Sequence, residues 1–208
     1  MKKYIVELLG AFFLVFTIVC TVMGNGAGPL APLAIGSALM VMVFAGGHIS
    51  GAHYNPAITF GEWLARKCET KDVVPYIVFQ IVGAALAALT VNYLKAGATS
   101  TPMSVSPLPA LLAEFLFTFA LVFVVLNTAT ARSTAGNSFY GLAIGFTVLA
   151  GAFAVGNISG GAFNPAVAVG ISMMRLSSWA NIWIYFLAEF VAGAAAAFMF
   201  KMVSPGDD

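Results

Sequence analysis

Two asparagines with the same neighbours, Asn55 and Asn164, stand 109 positions apart in this chain of 208 residues, each followed by Pro and Ala. Asparagine is a strong N-cap residue and proline is favoured at the first helical position, so each tripeptide predicts a helix start. The amide of asparagine offers hydrogen bonding rather than nucleophilic attack or proton transfer. Because both helix starts lie in almost uncharged sequence, their duplication indicates a pore through a membrane. Its predicted midplane consists of Asn55, Pro56, Ala57, Asn164, Pro165 and Ala166.

The composition predicts an integral membrane protein. Hydrophobic residues make up 61% of the chain and charged residues 8%, whereas an ordinary soluble domain has roughly 25% charged residues. A helix needs about 20 apolar residues to cross roughly 30 Å of hydrocarbon. The apolar runs are continuous rather than alternating, so they indicate helices and not a β-barrel. Six runs are long enough: about 4–23, 30–50, 73–95, 108–130, 139–158 and 178–200.

The distribution of charge predicts the orientation of the chain. The net charge of +1 gives no electrostatic reason to expect a nucleic-acid partner. With six spans and the N-terminus inside, most basic residues fall on the cytoplasmic side, as the positive-inside rule requires. We therefore expect a multi-pass protein of the cell or plasma membrane with both termini cytoplasmic, and no cleaved signal peptide. The predicted cytoplasmic residues are Lys2, Lys3, Arg66, Lys67, Lys71, Arg132 and Lys201, and the predicted external ones are Lys95 and Arg175.

The internal repeat extends beyond the two tripeptides. Leu33–Gly36 matches Leu142–Gly145 at the same offset, and an acid, Glu7 or Glu114, precedes a Phe-rich run at the head of each half. Each half contains three spans and one Asn-Pro-Ala segment, and because three is odd the second half must be inverted. We expect one channel domain over residues 1–208, with a first repeat in 1–95, a connecting loop in 96–109 and an inverted repeat in 110–208.

The segments that follow the two asparagines are too short to span a membrane. Pro56–Arg66 and Pro165–Arg175 would each form a helix of about 16 Å at about 1.5 Å per residue, which is half a bilayer. Entering from opposite sides, they place two helix N-termini, each with roughly half a positive charge, at the midplane, where they repel cations. The predicted fold is therefore an all-α membrane protein with six transmembrane helices, two re-entrant half-helices and an inverted internal repeat.

These motifs resemble the aquaporin and glycerol-facilitator (major intrinsic protein) family over essentially the whole chain. The resemblance is carried by His48–Ala57, by Gly160–Ala166 and by the acids that head the first and fourth spans. It implies a homotetramer in the lipid bilayer with one pore per subunit, passive flux of water and small neutral solutes, and no cofactor or metal. It also implies that Glu7 and Glu114 are buried acids that bond the re-entrant backbone, and that His53 lies near the cytoplasmic end of the pore.

The chain departs from the family pattern at the external selectivity filter. Family members usually have Arg directly after the second Asn-Pro-Ala, where this chain has Val167. Counting from each asparagine places the other filter positions at Ile35, Ala152 and Gly161, so the sequence predicts a wide, apolar and uncharged constriction. Larger neutral solutes such as glycerol, urea or undissociated weak acids then meet less steric resistance. An alternative is that Arg175 reaches back to complete the filter.

Three titratable side chains in or beside the apolar spans have two interpretations each. His48 and His53 are expected to support the pore or its loop, and the alternative is a pH-dependent gate. Glu189 matches Gln80 of the first half, which predicts a shared hydrogen bond between helices near the lumen. The alternative for such an acid is a role in proton transfer.

Other function classes lack the residues that they need. An intramembrane hydrolase needs a nucleophile–base pair or a metal cluster, and the sequence contains neither His-Glu-x-x-His nor Gly-x-Ser-x-Gly, so we do not expect an enzyme. The prediction is a passive channel for water and small uncharged solutes that excludes ions through its half-helix dipoles. The alternatives are a channel chiefly for larger neutral solutes, a coupled secondary transporter, or a structural junction protein on the same fold.

Overall fold

The computed structural model describes residues 1–207, which form eight α-helices and no β-strand. Six of the helices are long and apolar enough to cross a membrane, so the all-α fold with six spans is confirmed. The other two are half-helices of nine residues each. The helices are α1 (Lys2–Val22), α2 (Ala31–Ser50), α3 (Pro56–Leu64), α4 (Thr70–Leu94), α5 (Pro107–Val125), α6 (Tyr140–Ser159), α7 (Pro165–Met173) and α8 (Ile182–Val203).

The half-helices α3 and α7 are shorter than the sequence predicts. Each was expected to reach an arginine, but α3 ends at Leu64 and α7 at Met173. Arg66 and Arg175 have φ angles of 61° and 56°, a left-handed conformation that cannot continue a right-handed helix. The correction shortens each half-helix by two residues and leaves both arginines in the turns that follow.

Both ends of the chain lie on one face of the molecule, which we call the terminal face. Lys3 in α1 forms an ion pair with Asp72 at the start of α4. Near the C-terminus, the carbonyl of Asp207 accepts a hydrogen bond from Lys67, and its carboxylate accepts two from Ser133 at 2.9 and 2.8 Å. The α3–α4 and α5–α6 connections therefore share this face with the two ends of the chain.

The α1–α2, α4–α5 and α7–α8 connections lie on the opposite face. Lys95, at the end of α4, donates hydrogen bonds of 2.6 Å to the carbonyl oxygens of Cys20 and Met23 at the end of α1. Ser100 in the α4–α5 connection donates a hydrogen bond of 2.5 Å to the carbonyl of Met174, just after α7. Half-helix α3 consequently enters from the terminal face and α7 from the opposite face.

The two halves interlock through their helices. Within the halves, α1 packs against α2 and α4, and α5 packs against α6 and α8; between them, α2 packs against α6, α3 against α8 and α4 against α7. At the α2–α6 crossing, a Cβ atom on Gly36 would lie 2.7 Å from the carbonyl oxygen of Gly145, and one on Gly145 would lie 2.5 Å from that of Gly36. Both positions need glycine because the two backbones approach too closely for a side chain.

Candidate functional site

Each asparagine caps the half-helix that it precedes. The Asn55 Oδ1 atom accepts a hydrogen bond of 2.8 Å from the backbone N–H of Ala57, and Asn164 Oδ1 accepts one of 2.9 Å from that of Ala166. Both asparagines have extended backbones and are followed by proline at the first helical position. The sequence therefore fixes where each half-helix begins, as capping preferences predict.

The same two side chains join the halves at the centre of the molecule. Asn55 Nδ2 donates a hydrogen bond of 2.8 Å to the carbonyl of Phe163, and Asn164 Nδ2 donates one of 2.9 Å to the carbonyl of Tyr54. These reciprocal bonds hold the N-termini of α3 and α7 together. An amide NH₂ group has two hydrogens, so each asparagine retains a second N–H beyond this bond.

A buried carboxylate holds the loop before the first half-helix. Glu7 accepts hydrogen bonds from the Ser50 hydroxyl at 2.7 Å, from the backbone N–H groups of His53 and Tyr54 at 3.1 and 2.7 Å, and from the Gln80 amide at 2.7 Å. Tyr54 has a φ of 51°, which is unusual for a non-glycine residue. Glu7 therefore satisfies backbone donors that no regular structure pairs, as a loop inside a membrane requires.

Glu114 has the same task in the second half. It accepts hydrogen bonds from the Ser159 hydroxyl at 2.6 Å and from the backbone N–H groups of Ala162 and Phe163 at 3.0 and 2.7 Å. Its fourth neighbour is the carboxyl group of Glu189, whose Oε2 atom is buried without a hydrogen-bond partner. The two loops are thus held by equivalent sets of contacts, with an acid at 189 in place of an amide.

One cavity of about 360 Å³ runs along the centre of the molecule. Asn55 and Asn164 line it together with His53, whereas Pro56, Ala57, Pro165 and Ala166 are buried beside it and do not line it. The cavity also brings together all the residues counted as filter positions. These are Ile35, Ala152, Gly161 and Val167.

Two residues of the α4–α5 connection also line this cavity, and the sequence did not predict them. Thr101 and Met103 lie at its mouth on the opposite face, and the backbone N–H of Met103 donates a hydrogen bond of 3.0 Å to the carbonyl of Leu176. A loop without periodicity carries no signal for such a contact. Arg175 is exposed and does not line the cavity, so it does not take the place of the missing filter arginine.

The two histidines have different environments. His53 is 4% exposed, and its ring nitrogens contact Glu62 Oε2 and Thr59 Oγ1, each at 3.0 Å. A second cavity of about 240 Å³ lies on the terminal face, and Glu62 is among the residues that line it. His48 is exposed on α2 and lines neither cavity. Of the two, only His53 is near the predicted pore.

Glu62 is a site residue that the sequence analysis missed. It is 3% exposed, although it lies near the end of a half-helix on the terminal face. The signal was present, because Asn55, Thr59 and Glu62 follow the spacing i, i+4, i+7 and therefore share one face of α3.

Two titratable groups on the terminal face lie outside both cavities. Hydrogen bonds from Ser133 hold the pKa of the Asp207 carboxyl below its usual value. Partial burial raises the pKa of the Cys68 thiol to about 12, so this cysteine stays protonated at neutral pH. Neither group takes part in the arrangement around the asparagines.

Comparison with known proteins agrees with this geometry. The family model described as Major intrinsic protein matches residues 1–200. The chain is 35% identical to Glycerol uptake facilitator protein-like 6 from Lactiplantibacillus plantarum over the full length of both proteins. It is 34% identical to Aquaporin NIP1-1 from Oryza sativa subsp. japonica, over 97% of this chain and 74% of that protein.

A solved structure has the same fold. The X-ray structure of the aquaglyceroporin from Plasmodium falciparum superimposes with a TM-score of 0.81, covering 97% of this chain and 96% of that one, at 22% sequence identity. At this identity the superposition establishes the arrangement of the helices. Solute preference must be argued from the residues that line the cavity.

Proposed function

The chain belongs to the major intrinsic protein family, and from that premise we propose how its pore selects solutes. It is a multi-pass membrane channel for passive flux of water and small neutral solutes, and not an enzyme. Beyond this channel class, we make proposals on the filter, the midplane, the orientation and the assembly. It rests on one observation above all: the four counted filter residues line one cavity with both asparagines, and none has a polar side chain.

At the filter, Ile35, Ala152, Gly161 and Val167 form a wide apolar constriction. Two of the four residues are small, so solutes larger than water meet less steric resistance than in a narrow filter. A polar solute that leaves its water behind there would lose about 1–3 kcal/mol per unpaired group. We therefore propose water as a permeant together with small uncharged solutes. The second candidate is a channel chiefly for glycerol, urea or undissociated weak acids, which the 35% identity to a glycerol uptake facilitator-like protein favours.

At the midplane, the half-helix N-termini exclude ions. Asn55 and Asn164 hold the starts of α3 and α7 together, and each start contributes roughly half a positive charge. The positive electrostatic potentials of the two starts add at the centre of a low-dielectric layer, where they repel cations. The N–H that each asparagine retains is available to an oxygen of a permeating molecule.

The remaining proposals concern the whole chain. We propose a single channel domain of two inverted halves, residues 1–95 and 110–208 joined by 96–109, of which residue 208 lies outside the described residues. We also propose that the terminal face is cytoplasmic, that the membrane is the cell or plasma membrane, and that four copies assemble into a tetramer. The charge distribution supports the orientation, and the family supports the assembly.

Stopped-flow light scattering on proteoliposomes tests the filter proposal. Vesicles are exposed to an impermeant osmolyte and, separately, to gradients of glycerol and urea. We expect fast shrinkage followed by fast solute entry. Fast water flux without solute entry would mean that the missing arginine is compensated and that the filter mapping is wrong.

Val167→Arg provides the matched variant. It restores a large cation to the filter position, so it should reduce glycerol and urea entry several-fold more than water flux. The control is Arg175→Ala, which removes an exposed charge from the same face. Equal effects of Val167→Arg on water and solutes would place the constriction elsewhere in the pore.

A further inference from the structure

Two polar side chains in contact connect the walls of the central cavity and of the cavity on the terminal face. His53 lines the central cavity and Glu62 lines the other. Their side chains meet through His53 Nε2 and Glu62 Oε2, 3.0 Å apart, and both are at least 95% buried. A solute that moves from the central cavity into the cavity on the terminal face therefore passes beside this pair.

The hydrogen bonds around His53 fix its donors. Thr59 Oγ1 donates its single hydrogen to the carbonyl of Asn55 at 3.1 Å and accepts a hydrogen bond of 3.0 Å from the Gln80 amide. His53 Nδ1, 3.0 Å from the same oxygen, must then act as a donor. The contact between Nε2 and Glu62 Oε2 needs a second hydrogen, which lies between the two side chains and joins them by a hydrogen bond.

The internal repeat shows that this pair is not a general feature of both pore ends. The positions 109 residues after His53 and Glu62 are Ala162 and Ile171, and both line the opposite end of the central cavity. At these two positions the opposite half has apolar side chains where the terminal end has an imidazole and a carboxyl group. Hydrogen-bonding groups for a permeating solute, which the apolar filter lacks, are available at the terminal end.

We propose that Glu62 is a specificity-determining residue of this channel, because its carboxylate holds His53 as a polar constriction at the terminal end of the pore. The inference rests on the proposed passage of neutral solutes and adds a second selection step to it. At the filter, a solute is selected for fitting an apolar opening. At the His53–Glu62 pair, it is selected for size and for exchanging hydrogen bonds with the paired groups.

Three substitutions at Glu62 distinguish an effect of the His53–Glu62 pair on permeability from an effect on folding. Glu62→Leu removes the acceptor and releases His53; Glu62→Asp shortens the side chain by one methylene; Glu62→Gln keeps its length and an acceptor oxygen for Nε2. Glu69→Leu is the matched control, because it removes a carboxylate that is exposed on the same face and paired with Lys71. The measured quantity is the ratio of glycerol or urea permeability to water permeability in proteoliposomes, which does not depend on the amount of protein inserted.

We expect Glu62→Leu to raise this ratio about threefold or more, the effect of one lost hydrogen bond, and Glu62→Asp to raise it less. Glu62→Gln should stay near the unaltered chain, which a role of Glu62 in folding alone would not produce. An unchanged ratio in both Glu62→Leu and Glu62→Asp, or a Gln variant that behaves like the Leu variant, would overturn the proposal. If Glu62→Leu does not fold, the Asp and Gln variants decide the question alone.

The same experiment distinguishes the two proposals. If the unaltered chain conducts neither water nor solute above empty vesicles, the proposed function fails. If it conducts both and the ratio stays constant across the Glu62 variants, only the role of Glu62 fails.

Discussion

Glu189 and Gln80 are equivalent residues of the two halves that differ in what they donate. Gln80 Nε2 donates a hydrogen bond of 2.7 Å to Glu7. Glu189 Oε1 accepts a bond of 3.0 Å from the backbone N–H of Asn164, while its Oε2 atom has no partner and lies beside the Glu114 carboxyl group. Two carboxyl groups form a hydrogen bond only when one of them carries a proton. Since Glu114 already accepts from a hydroxyl and two backbone N–H groups, we infer that Glu189 is the protonated partner.

Glu189→Gln is therefore expected to preserve both folding and water flux, because the amide supplies the donor that the carboxylic acid supplies now. Glu189→Ala removes the donor to a buried carboxylate and should cost about 1–3 kcal/mol of stability. The measurement is the fraction of protein that remains folded on size exclusion after heating in detergent. Gln80→Ala is the control in the other half and should show a similar loss. A Gln variant as unstable as the Ala variant would mean that the protein uses a charge at 189.

At the level of single residues, the sequence pointed to acids that recur at equivalent positions of the two halves. It did not point to an acid that occurs in only one half. Glu7 and Glu114 head equivalent spans, and each accepts backbone hydrogen bonds from the loop before a half-helix. Glu62 has an isoleucine as its repeat counterpart, so comparison of the two halves gave no reason to notice it. Only its position on the face of α3 that carries Asn55 would have revealed it.

The six spans were predictable from their apolar runs, and four of the eight helices also begin or end with a strong local signal. Asn-Pro starts α3 and α7, and glycines with φ of 87° and 95°, Gly51 and Gly160, end α2 and α6. The ends of the half-helices were not predictable, since the left-handed conformations of Arg66 and Arg175 have no sequence signature. The π-helical turn Leu126–Thr130 after α5 was likewise unforeseen, because apolar periodicity continues through it.

The crossing of α2 and α6 yields a prediction at the element scale. Gly36→Ala places a methyl group 2.7 Å from the carbonyl oxygen of Gly145. This contact is too close, so the substitution should destabilise the protein by about 1–3 kcal/mol. Gly47→Ala lies on the same helix, and its Cβ would meet the Tyr140 ring at an ordinary 3.5 Å. That control should be neutral or stabilising by up to about 1 kcal/mol. Thermal unfolding in detergent compares the two, and equal stabilities would show that the crossing can relax.

For the whole molecule, the order of the helices could be predicted from the sequence, whereas the packing of one half against the other could not. The inverted arrangement followed from counting spans, and the structure has α3 and α7 entering from opposite faces. Counting spans could not predict that each half-helix packs against a helix of the other half, α3 against α8 and α7 against α4. These contacts depend on side-chain fit across long sequence separations, as at Gly193, where a Cβ would lie 2.8 Å from the carbonyl oxygen of Ala57.

The orientation in the membrane is the last prediction, and it belongs to the molecule as a whole. The basic residues at the chain ends and in the α3–α4 and α5–α6 connections lie on the terminal face, while Lys95 and Arg175 lie on the opposite one. Because loops rich in Lys and Arg stay in the cytoplasm, a fluorescent protein fused to the C-terminus should fold and fluoresce in a bacterial host. An alkaline phosphatase fused after residue 102, in the α4–α5 connection, should be active. Phosphatase activity at the C-terminus, with no fluorescence there, would reverse the assignment and place the His53–Glu62 pair at the external end of the pore.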